Sequence, residues 1–419
     1  MQHRIPIDQI GPRGEAMAAA VQACVHCGFC LPTCPTYRTD GQEMDSPRGR
    51  ITLMKEVLQG DLSLEQAKPH LDACLGCLSC ETACPSGVQY RDLISPFRAW
   101  ANAKSPKPRL QRLWHRLLLA TLPFPNRFEF VARLGAPFKW LAPLLPNKLA
   151  APLDLLPSSL PKTEVLDEKY SPTAPPRGRV ALLAGCAQQI LAPGINLAAI
   201  RLLKAVGYEV SLPPEQGCCG AMAWHLGEDS SAVKMARQNV DAFSAQSYDA
   251  IITTAAGCGS AMHEYPLILA GTDRHEQALA LVGKMQDVCQ FLAAKSDLTF
   301  NATAQPMNVT VQDACHLLHG QKVSRELRSL LHRIPGVTIV ESAEADMCCG
   351  SAGTYNLDHP HRAALIGQEK ARHLTNAGAQ LVVTGNIGCL MQLRAHLRDR
   401  LPVLHIVEFL AQHLSDTHK

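Results

Sequence analysis

Near its amino end the chain reads Cys24-Val-His-Cys-Gly-Phe-Cys-Leu-Pro-Thr-Cys-Pro35, and a near-copy reads Cys74-Leu-Gly-Cys-Leu-Ser-Cys-Glu-Thr-Ala-Cys-Pro85. Both segments follow the pattern C-x₂-C-x₂-C-x₃-C-P, which is typical of proteins that hold two [4Fe–4S] clusters. Zinc usually takes two C-x₂-C pairs and would leave the third and fourth cysteines of each run unexplained. Two iron–sulfur clusters are therefore preferred to zinc sites or buried free thiols.

The spacing also divides the eight cysteines between the two clusters. Three cysteines of one run converge in a tight loop, and the fourth points away and ligates the other cluster. Cluster I is therefore predicted on Cys24, Cys27, Cys30 and Cys84, and cluster II on Cys74, Cys77, Cys80 and Cys34. Pro35 and Pro85 end the two loops, and Gly28 and Gly76 permit a close approach of the backbone.

The insert between the two runs predicts a helical ferredoxin domain over residues 1–97. Residues 46–60 carry apolar side chains at helical spacing and end in glycine, and a second helix is expected over residues 63–73. Arg48 and Arg50 stand at the start of the first helix. They either hold acidic partners or shift the potential of a cluster, or they simply belong to a solvated helix start.

The composition limits the class of protein. The chain has 419 residues with 47% hydrophobic and 18% charged residues, which is globular, and its net charge of +3 does not suggest a general nucleic-acid binder. No secretory signal is expected within residues 1–17, and no stretch of 18 apolar residues predicts a transmembrane helix. The 17 cysteines are odd in number, so metal binding or redox work in a reducing cytoplasm is favoured over a disulfide scaffold.

Residues 98–176 form a basic, aromatic connector. Residues 98–162 hold eleven lysines and arginines against Glu129 and Asp154, and they also carry three tryptophans and four phenylalanines. Residues 110–122 predict an amphipathic helix with an Arg/His face. Basic residues interleaved with aromatics suit an anionic membrane surface or an acidic partner subunit. The alternative is a connector that packs only on its own protein, and no nucleic-acid module accompanies the patch.

The remaining chain contains a strand–helix pattern that occurs twice, with corresponding positions about 130 residues apart. Strands are predicted over 180–186, 208–212 and 249–258, and again over 308–315, 337–340 and 380–389. Each copy also holds one Cys-Cys-Gly loop, at residues 217–220 and 347–350. Alternating strands and helices predict α/β lobes with parallel, doubly wound sheets, the first over residues 177–300 and the second over residues 301–419.

Each copy contributes four cysteines that lie at strand ends or in the Cys-Cys-Gly loop. The first set is Cys186, Cys218, Cys219 and Cys258, and the second is Cys315, Cys348, Cys349 and Cys389. Because the carboxyl ends of parallel strands share one edge, each set is expected to converge. An iron–sulfur cluster in at least one lobe is the preferred interpretation; zinc, a thiol redox site, a vicinal disulfide and structural thiols are the alternatives. Cys289 has no counterpart and is interpreted as a core residue.

Together these features resemble the iron–sulfur subunit of glycolate oxidase (glycolate dehydrogenase), over essentially the whole chain. The resemblance rests on residues 23–30, 46–51, 215–221 and 348–355. It implies FAD-binding partner subunits that oxidise glycolate or D-lactate, and it implies electron transfer toward quinone at the inner face of the cytoplasmic membrane. Similar layouts occur in anaerobic glycerol-3-phosphate dehydrogenase small subunits, lactate-utilisation proteins and heterodisulfide reductase subunits.

Two details refine the resemblance. Heterodisulfide reductases have a fifth cysteine three positions after the last strand, where this chain has Ala261 and Gln392, so a five-thiolate cluster is not expected. No GxGxxG motif follows a predicted strand, so FAD is expected on the partners alone. A metal-stabilised scaffold with idle clusters remains the alternative from another class.

Four histidines lie near the cysteine loops, namely His225, His263, His316 and His319. Any of them could be a metal ligand or a proton carrier beside a quinone. For each one separately, an ordinary surface or core histidine is the simpler interpretation.

Overall fold

The computed structural model describes residues 5–157 and 159–415, and its amino-terminal part is helical. Its helices are α1 (Ile7–Ile10), α2 (Gly14–Gln22), α3 (Pro35–Asp40), α4 (Pro47–Gln59), α5 (Leu64–Asp72), α6 (Ser79–Thr82) and α7 (Arg91–Lys104). Helix α4 begins where the Ser46 hydroxyl accepts from Gly49 N–H, and it ends at Gly60 with φ 86°. Apolar faces of α2, α4, α5 and α7 meet around Met54 and Phe97, which are both fully buried.

The connector is a set of short helices on the surface. They are α8 (Arg109–Thr121), α9 (Pro125–Gly135), a 3₁₀ helix (Ala136–Leu144) and α10 (Asn147–Leu155). Helix α8 buries His115 and Leu118 on one side, whereas Leu113 and Leu117 are exposed on another. The predicted amphipathic helix is therefore present, and only part of its apolar surface is used for packing.

The first sheet has five strands and spans the first of the two repeats. Its elements are β1 (Lys169–Tyr170), β2 (Gly178–Leu182), α11 (Ala187–Leu191), α12 (Gly194–Ala205), β3 (Tyr208–Ser211), α13 (Ala221–Leu226), α14 (Asp229–Ser244), β4 (Ala250–Thr253), α15 (Ala256–His263), α16 (Tyr265–Ile268), α17 (His275–Val282), β5 (Met285–Asp287) and α18 (Val288–Ala293). The strand order is β1-β3-β2-β4-β5, with only the edge strand β1 antiparallel. Val180 on β2 lies beside Val210 and Ala250 of its neighbours.

The second sheet has four parallel strands. Its elements are β6 (Met307–Gln312), a π-helical turn (His316–Gly320), α19 (Arg325–His332), β7 (Val337–Ile339), α20 (Tyr355–Asp358), α21 (Pro360–Asn376), β8 (Leu381–Thr384), α22 (Ile387–Leu397), a 3₁₀ turn (Arg398–Arg400), β9 (Val403–His405) and α23 (Ile406–Gln412). The order β7-β6-β8-β9 repeats the order β3-β2-β4-β5 of the first sheet. The predicted fold class is confirmed: a helical ferredoxin-type domain precedes two duplicated α/β units.

The two sheets share one apolar core. Buried residues of both repeats form a single cluster that runs from Val180 to Leu414, and α12 packs directly against α23. Cys289 is fully buried within this core, in agreement with its interpretation as a core residue. The shared core fixes the two repeats relative to each other, so that loops at their strand ends face one another.

One detail of the strand prediction is wrong. Cys186, Cys258, Cys315 and Cys389 do not lie at strand ends, since β4 stops at Thr253 and β8 at Thr384. Cys258 and Cys389 lie inside the first turns of α15 and α22, and the other two directly precede helical turns. Only two residues separate β4 from α15 and β8 from α22, so the helix begins before either cysteine is reached. Among the described residues, the helices are all too short or too polar to cross a membrane.

Candidate metal centres

The first candidate site is a cavity in the loop after α2. It is lined by Cys24, Cys27, Cys30 and Cys84, and Cys80 also reaches it. Gly28 has φ 85°, and a Cβ there would lie 2.9 Å from Arg48 Nη1, so the tight loop requires glycine. Arg48 Nη1 donates to His26 O at 3.0 Å and fixes the loop against α4. The structure thus brings together the four cysteines predicted for cluster I.

The thiols of this cavity differ in their electrostatic surroundings. Burial raises the pKa of Cys30 to about 11. Burial also acts to raise the pKa of Cys84, but the Ser86 hydroxyl and Val88 N–H outweigh it and leave the pKa below its ordinary value. Soft sulfur donors around a cavity, with N–H and O–H groups turned toward one of them, fit a [4Fe–4S] cluster.

The second candidate site lies between α3, α4 and the loop before α6. Its cavity is lined by Cys34, Cys74, Cys77 and Cys80, together with Arg50 and Tyr90. Gly76 N–H donates to Cys74 Sγ at 3.3 Å, and Tyr90 Oη donates to the same sulfur at 3.8 Å. Cys34 Sγ lies 3.3 Å from the Thr36 hydroxyl. These are the four cysteines predicted for cluster II, and their donor set also fits a cluster.

Arg50 supplies positive charge to this second cavity. It is 1% exposed, pairs with Asp45 at 3.5 Å and donates through Nε to His70 O at 2.7 Å. Burial would raise the pKa of Cys74, but Arg50 and Arg98 reverse the shift and hold that pKa below its ordinary value. The interpretation of Arg50 as part of a solvated helix start is wrong. Arg48 instead pairs with Glu43 at 2.8 Å on the surface.

The four cysteines of the first repeat converge on one point. Cys218 Sγ lies 3.5 Å from Cys186 Sγ, and hydrogen bonds link Cys218 to Cys219 and Cys219 to Cys258. The backbone of the Cys-Cys-Gly loop is held by Asn239 Nδ2, which donates to Cys218 O at 2.9 Å. Neighbouring thiols and burial raise the pKa values of Cys186, Cys218 and Cys219.

The second repeat reproduces this arrangement. Cys315 Sγ lies 4.0 Å from Cys348 Sγ, and hydrogen bonds link Cys348 to Cys349 and Cys349 to Cys389. Asn386 Nδ2 donates to Cys389 Sγ at 3.4 Å, while its Oδ1 accepts from Gly257 N–H at 3.1 Å. Asn386 therefore ties the cysteines of the second repeat to the helix that carries Cys258.

The close spacing of these thiols bears on what they could hold. Two thiolates on one tetrahedral zinc ion lie about 3.8 Å apart, given Zn–S bonds of about 2.3 Å. The measured Sγ–Sγ separations are 3.5 Å and 4.0 Å. All four cysteines of the second repeat are buried, whereas Cys186 and Cys258 are half-buried. Each set is therefore a preassembled thiol site, and a cubane would require its side chains to spread.

The amino-terminal helices α1 to α7 and their loops are called the head below. The second repeat lies directly against the second candidate site in the head. Cys77 packs in one small apolar cluster with Cys315, Cys348 and Tyr355. The charge of Cys315 contributes to the raised pKa of Cys77, after the larger effect of burial. Cys218 and Cys219 of the first repeat, with the half-buried Cys186 and Cys258, belong to a different cluster of buried residues. The two repeats are thus unequal in their relation to the head.

The four histidines lie where head and repeats meet. His316 Nδ1 bonds the Ser260 hydroxyl at 2.8 Å, and His319 Nδ1 bonds the Thr82 hydroxyl at 2.8 Å. The His225 ring lies 5.4 Å from the His316 ring, and burial lowers the pKa of His225 to about 4 and that of His316 to about 3. Burial also lowers the pKa of His263. His316 and His319 are satisfied histidines, whereas His225 Nδ1 has no partner.

Sequence reasoning missed several residues of these sites. Arg98 is buried, and it donates to Cys74 O at 2.7 Å and to His225 O at 3.1 Å. His115 and Asp358 form another contact at 3.2 Å between the connector and the second repeat. Arg98 was not singled out because it begins a segment rich in lysine and arginine, in which exposed side chains are expected. A comparison of the two repeats could have singled out Asn386, because the first repeat has Ala255 at the matching position.

Comparison with known proteins agrees with this architecture. Residues 20–88 match the 4Fe-4S dicluster domain family, and residues 180–263 and 309–394 each match the cysteine-rich domain family with the Cys-Cys-Gly motif. The glycolate oxidase iron-sulfur subunit of Escherichia coli (strain K12) is 35% identical over 397 residues, which is 94% of either chain. The chain belongs to the family of glycolate oxidase iron–sulfur subunits. It is accordingly an iron–sulfur electron-transfer subunit of an oxidoreductase that works in a complex with other subunits.

One further relative supports this family assignment, and one solved structure resembles the fold. The probable glycolate oxidase iron-sulfur subunit of Bacillus subtilis (strain 168) is 35% identical over 418 residues, covering 93% of each chain. A crystal structure of a hypothetical protein from Helicobacter pylori has a TM-score of 0.51 at 10% identity, covering 97% of this chain and 73% of that one. The latter similarity concerns the fold alone. Iron–sulfur clusters are the cofactors of this family of subunits.

Proposed function

We propose that this subunit carries electrons in a glycolate dehydrogenase complex, from FAD-binding partner subunits that oxidise glycolate to glyoxylate toward quinone. When bound, [4Fe–4S] clusters accept and donate single electrons, which connects a two-electron flavin donor to its acceptor. The observation that carries the proposal is the pair of cysteine-lined cavities in the head, with the second cavity in contact with the cysteines of the second repeat.

The roles of individual cysteines are part of this proposal. Cluster I takes Cys24, Cys27, Cys30 and Cys84, and cluster II takes Cys74, Cys77, Cys80 and Cys34. The cysteines of the second repeat hold a third cluster, and those of the first repeat hold a further cluster or metal ion. The domain boundaries 1–97, 98–176, 177–300 and 301–419 belong to the same proposal.

Reduction of bound iron by the hydroxy acid tests the function. In the complex assembled with its flavoprotein subunits under anaerobic conditions, glycolate is expected to bleach the visible iron–sulfur absorbance of this subunit. D-Lactate and glycerol-3-phosphate, tried in parallel, identify the donor if glycolate does not react. If the iron stays oxidised while the flavin subunit alone reduces a dye, the subunit is a scaffold with idle clusters and the proposal fails.

The position of the complex at the inner face of the cytoplasmic membrane is also proposed, and the connector supports it. Among the described residues, eleven of the eighteen exposed large apolar side chains fall within residues 110–149. The same region holds six lysines and arginines and one acid, Glu129. Exposed apolar side chains flanked by cations fit the boundary of an anionic bilayer.

Binding to lipid vesicles tests this position. Leu113→Asp changes a side chain that is 65% exposed on α8, and the matched change Leu279→Asp alters one that is 48% exposed on α17, far from the connector in sequence. Sedimentation with vesicles of anionic phospholipid is expected to fall at least about tenfold for Leu113→Asp, because a charge then enters the apolar boundary. Equal sedimentation of the two variants would show that the connector faces a partner subunit or its own complex.

A further inference from the structure

A cavity lies at the junction of the head, the connector and both repeats. It is bounded by Cys74 and Arg98 of the head, His115 of α8, His225 of the first repeat and Tyr355 of the second. All four parts of the chain thus contribute to one site. Cys74 is a proposed ligand of cluster II, so a molecule in this cavity would lie next to that centre.

Polar atoms without partners are concentrated around this cavity. Arg98 Nε, His115 Nδ1, His225 Nδ1 and Tyr355 Oη are all buried and lack a hydrogen-bond partner. Tyr355 is 5% exposed and Arg98 is 7% exposed. An unmet buried donor costs free energy, so its presence at one cavity indicates a ligand that accepts hydrogen bonds. Tyr355 Oη–H and Arg98 Nε–H are the donors available to such a ligand.

The cavity continues outward into an apolar groove. The groove has a volume of about 540 Å³ and runs between α8 and α10, where Leu110, Trp114 and Leu149 line it. Gln111, Asp358 and His359 line both the inner cavity and the groove. Leu110 is 83% exposed and Leu149 is 58% exposed, so the groove opens on the apolar, basic surface of the connector.

Asp358, at the boundary between cavity and groove, is already satisfied. Its carboxylate accepts from Trp114 Nε1 at 3.2 Å and from the Thr354 hydroxyl at 2.7 Å, and it contacts His115 Nε2 at 3.2 Å. The cavity and the groove together form a passage, and these contacts hold its wall in place.

We propose that this passage is a quinone-binding site, an inference that rests on the proposed function for the choice of acceptor. The inner cavity has a volume of about 40 Å³ and so takes only the carbonyl edge of a quinone, whose oxygen accepts the hydrogen bond that Tyr355 Oη lacks. The ring and the isoprenoid tail lie in the groove along Leu110 and Leu149. A small hydrophilic anion would not use the groove, and a plain acyl chain would leave the buried donors unpaired. A quinone pairs with the buried donors of the inner cavity and also fills the apolar groove. Its tail leaves the protein on the surface proposed to face lipid.

Two probes separate the polar end of the site from the apolar groove. They are 2,3-dimethoxy-5-methyl-6-decyl-1,4-benzoquinone and its analogue without the decyl chain, with binding to the assembled complex measured by equilibrium dialysis. Tyr355→Phe is expected to weaken both probes by up to about tenfold, the effect of one hydrogen bond. Leu149→Ser is expected to weaken the decyl probe several-fold and leave the shorter analogue unchanged.

Matched controls are Tyr248→Phe and Leu279→Ser, which alter similar side chains in the first repeat and are expected to change neither affinity. Iron content and circular dichroism of each variant show that it is folded and loaded. The inference is overturned if Tyr355→Phe binds both probes as the unchanged complex does, since the cavity then holds water only. It is also overturned if Leu149→Ser weakens the two probes equally.

The same preparations separate this inference from the function it builds on. If glycolate still bleaches the iron–sulfur absorbance but the binding of neither probe depends on Tyr355, the proposed electron transfer is correct and the proposed quinone site is wrong. If probe binding depends on Tyr355 but glycolate does not reduce the iron of the complex, the quinone site is correct and the proposed electron donor is wrong.

Discussion

The double variant Cys34→Ala/Cys80→Ala is expected to lose no more iron than either single variant. Both residues are proposed to ligate cluster II, although they belong to different runs of the sequence. Loss of one thiolate leaves an iron atom of the cluster without its protein ligand, so each single change should remove about four iron atoms. The second change then finds no cluster left to disrupt. Iron and acid-labile sulfide in the anaerobically purified chain measure the outcome.

The matched control is Cys80→Ala/Cys84→Ala, in which the two cysteines are neighbours in one run. Because they are proposed to serve different clusters, this variant should lose about eight iron atoms. The geometry makes the comparison necessary, since Cys80 lines both head cavities. If Cys80→Ala/Cys84→Ala lost only as much as a single variant, Cys80 and Cys84 would serve the same cluster and the crossed assignment would be wrong.

The head shows how far local spacing can predict a structure. The two runs and the glycines within them predict the loops, and the structure groups the thiols into the two sets that the spacing gave, with Cys80 alone reaching both cavities. The ligand roles themselves remain a prediction. Helix α4 was predictable for the same local reasons, because Ser46 and Gly60 cap its ends.

Long-range contacts could not be predicted in this way. Arg50 and Arg98 determine the electrostatic surroundings of Cys74, yet they lie on helices α4 and α7, well separated from Cys74 in the sequence. Helical spacing places Arg50, four positions before Met54, on the apolar face of α4 and the half-buried Arg48 away from it, but this spacing does not show what Arg50 would contact. Their difference arises from packing of α4 against α5, which places Arg50 on Asp45 and His70.

The duplicated α/β units were predictable because their strands are short apolar runs at matching positions. The positions of Cys258 and Cys389 were not, since only two residues separate β4 from α15 and β8 from α22. The shared core of the two sheets likewise cannot be predicted from local sequence patterns, because its contacts join residues that are far apart in the chain. That core brings Asn386 to Gly257 and so joins the two thiol sites through a single side chain.

The position of the second repeat suggests which thiol site takes part in electron transfer. Cys77 packs against Cys315 and Cys348, whereas Cys218 and Cys219 lie in a separate apolar cluster whose described cysteines all belong to the first repeat. A centre in the second repeat would be a direct neighbour of cluster II. The quinone passage adjoins the same cluster through Cys74 on another side.

Cys348→Ala is therefore expected to remove about four iron atoms from the second repeat and to leave the iron of the head in place. Cys348 is fully buried between Cys315 and Cys349, so no water or other side chain can replace its thiolate. The matched control is Cys289→Ala, which changes another fully buried cysteine whose neighbours include Asp287. It should lose no metal.

Metal analysis decides between a cluster and a single ion in the second repeat. The Cys315–Cys348 separation of 4.0 Å is close to that of two thiolates on one zinc ion, about 3.8 Å, so zinc is the alternative that the measurement must exclude. Loss of about one zinc from Cys348→Ala with iron unchanged would contradict a third cluster. Loss of iron beyond about four atoms would mean that the second repeat also supports cluster II, through the contact of Cys77 with Cys348.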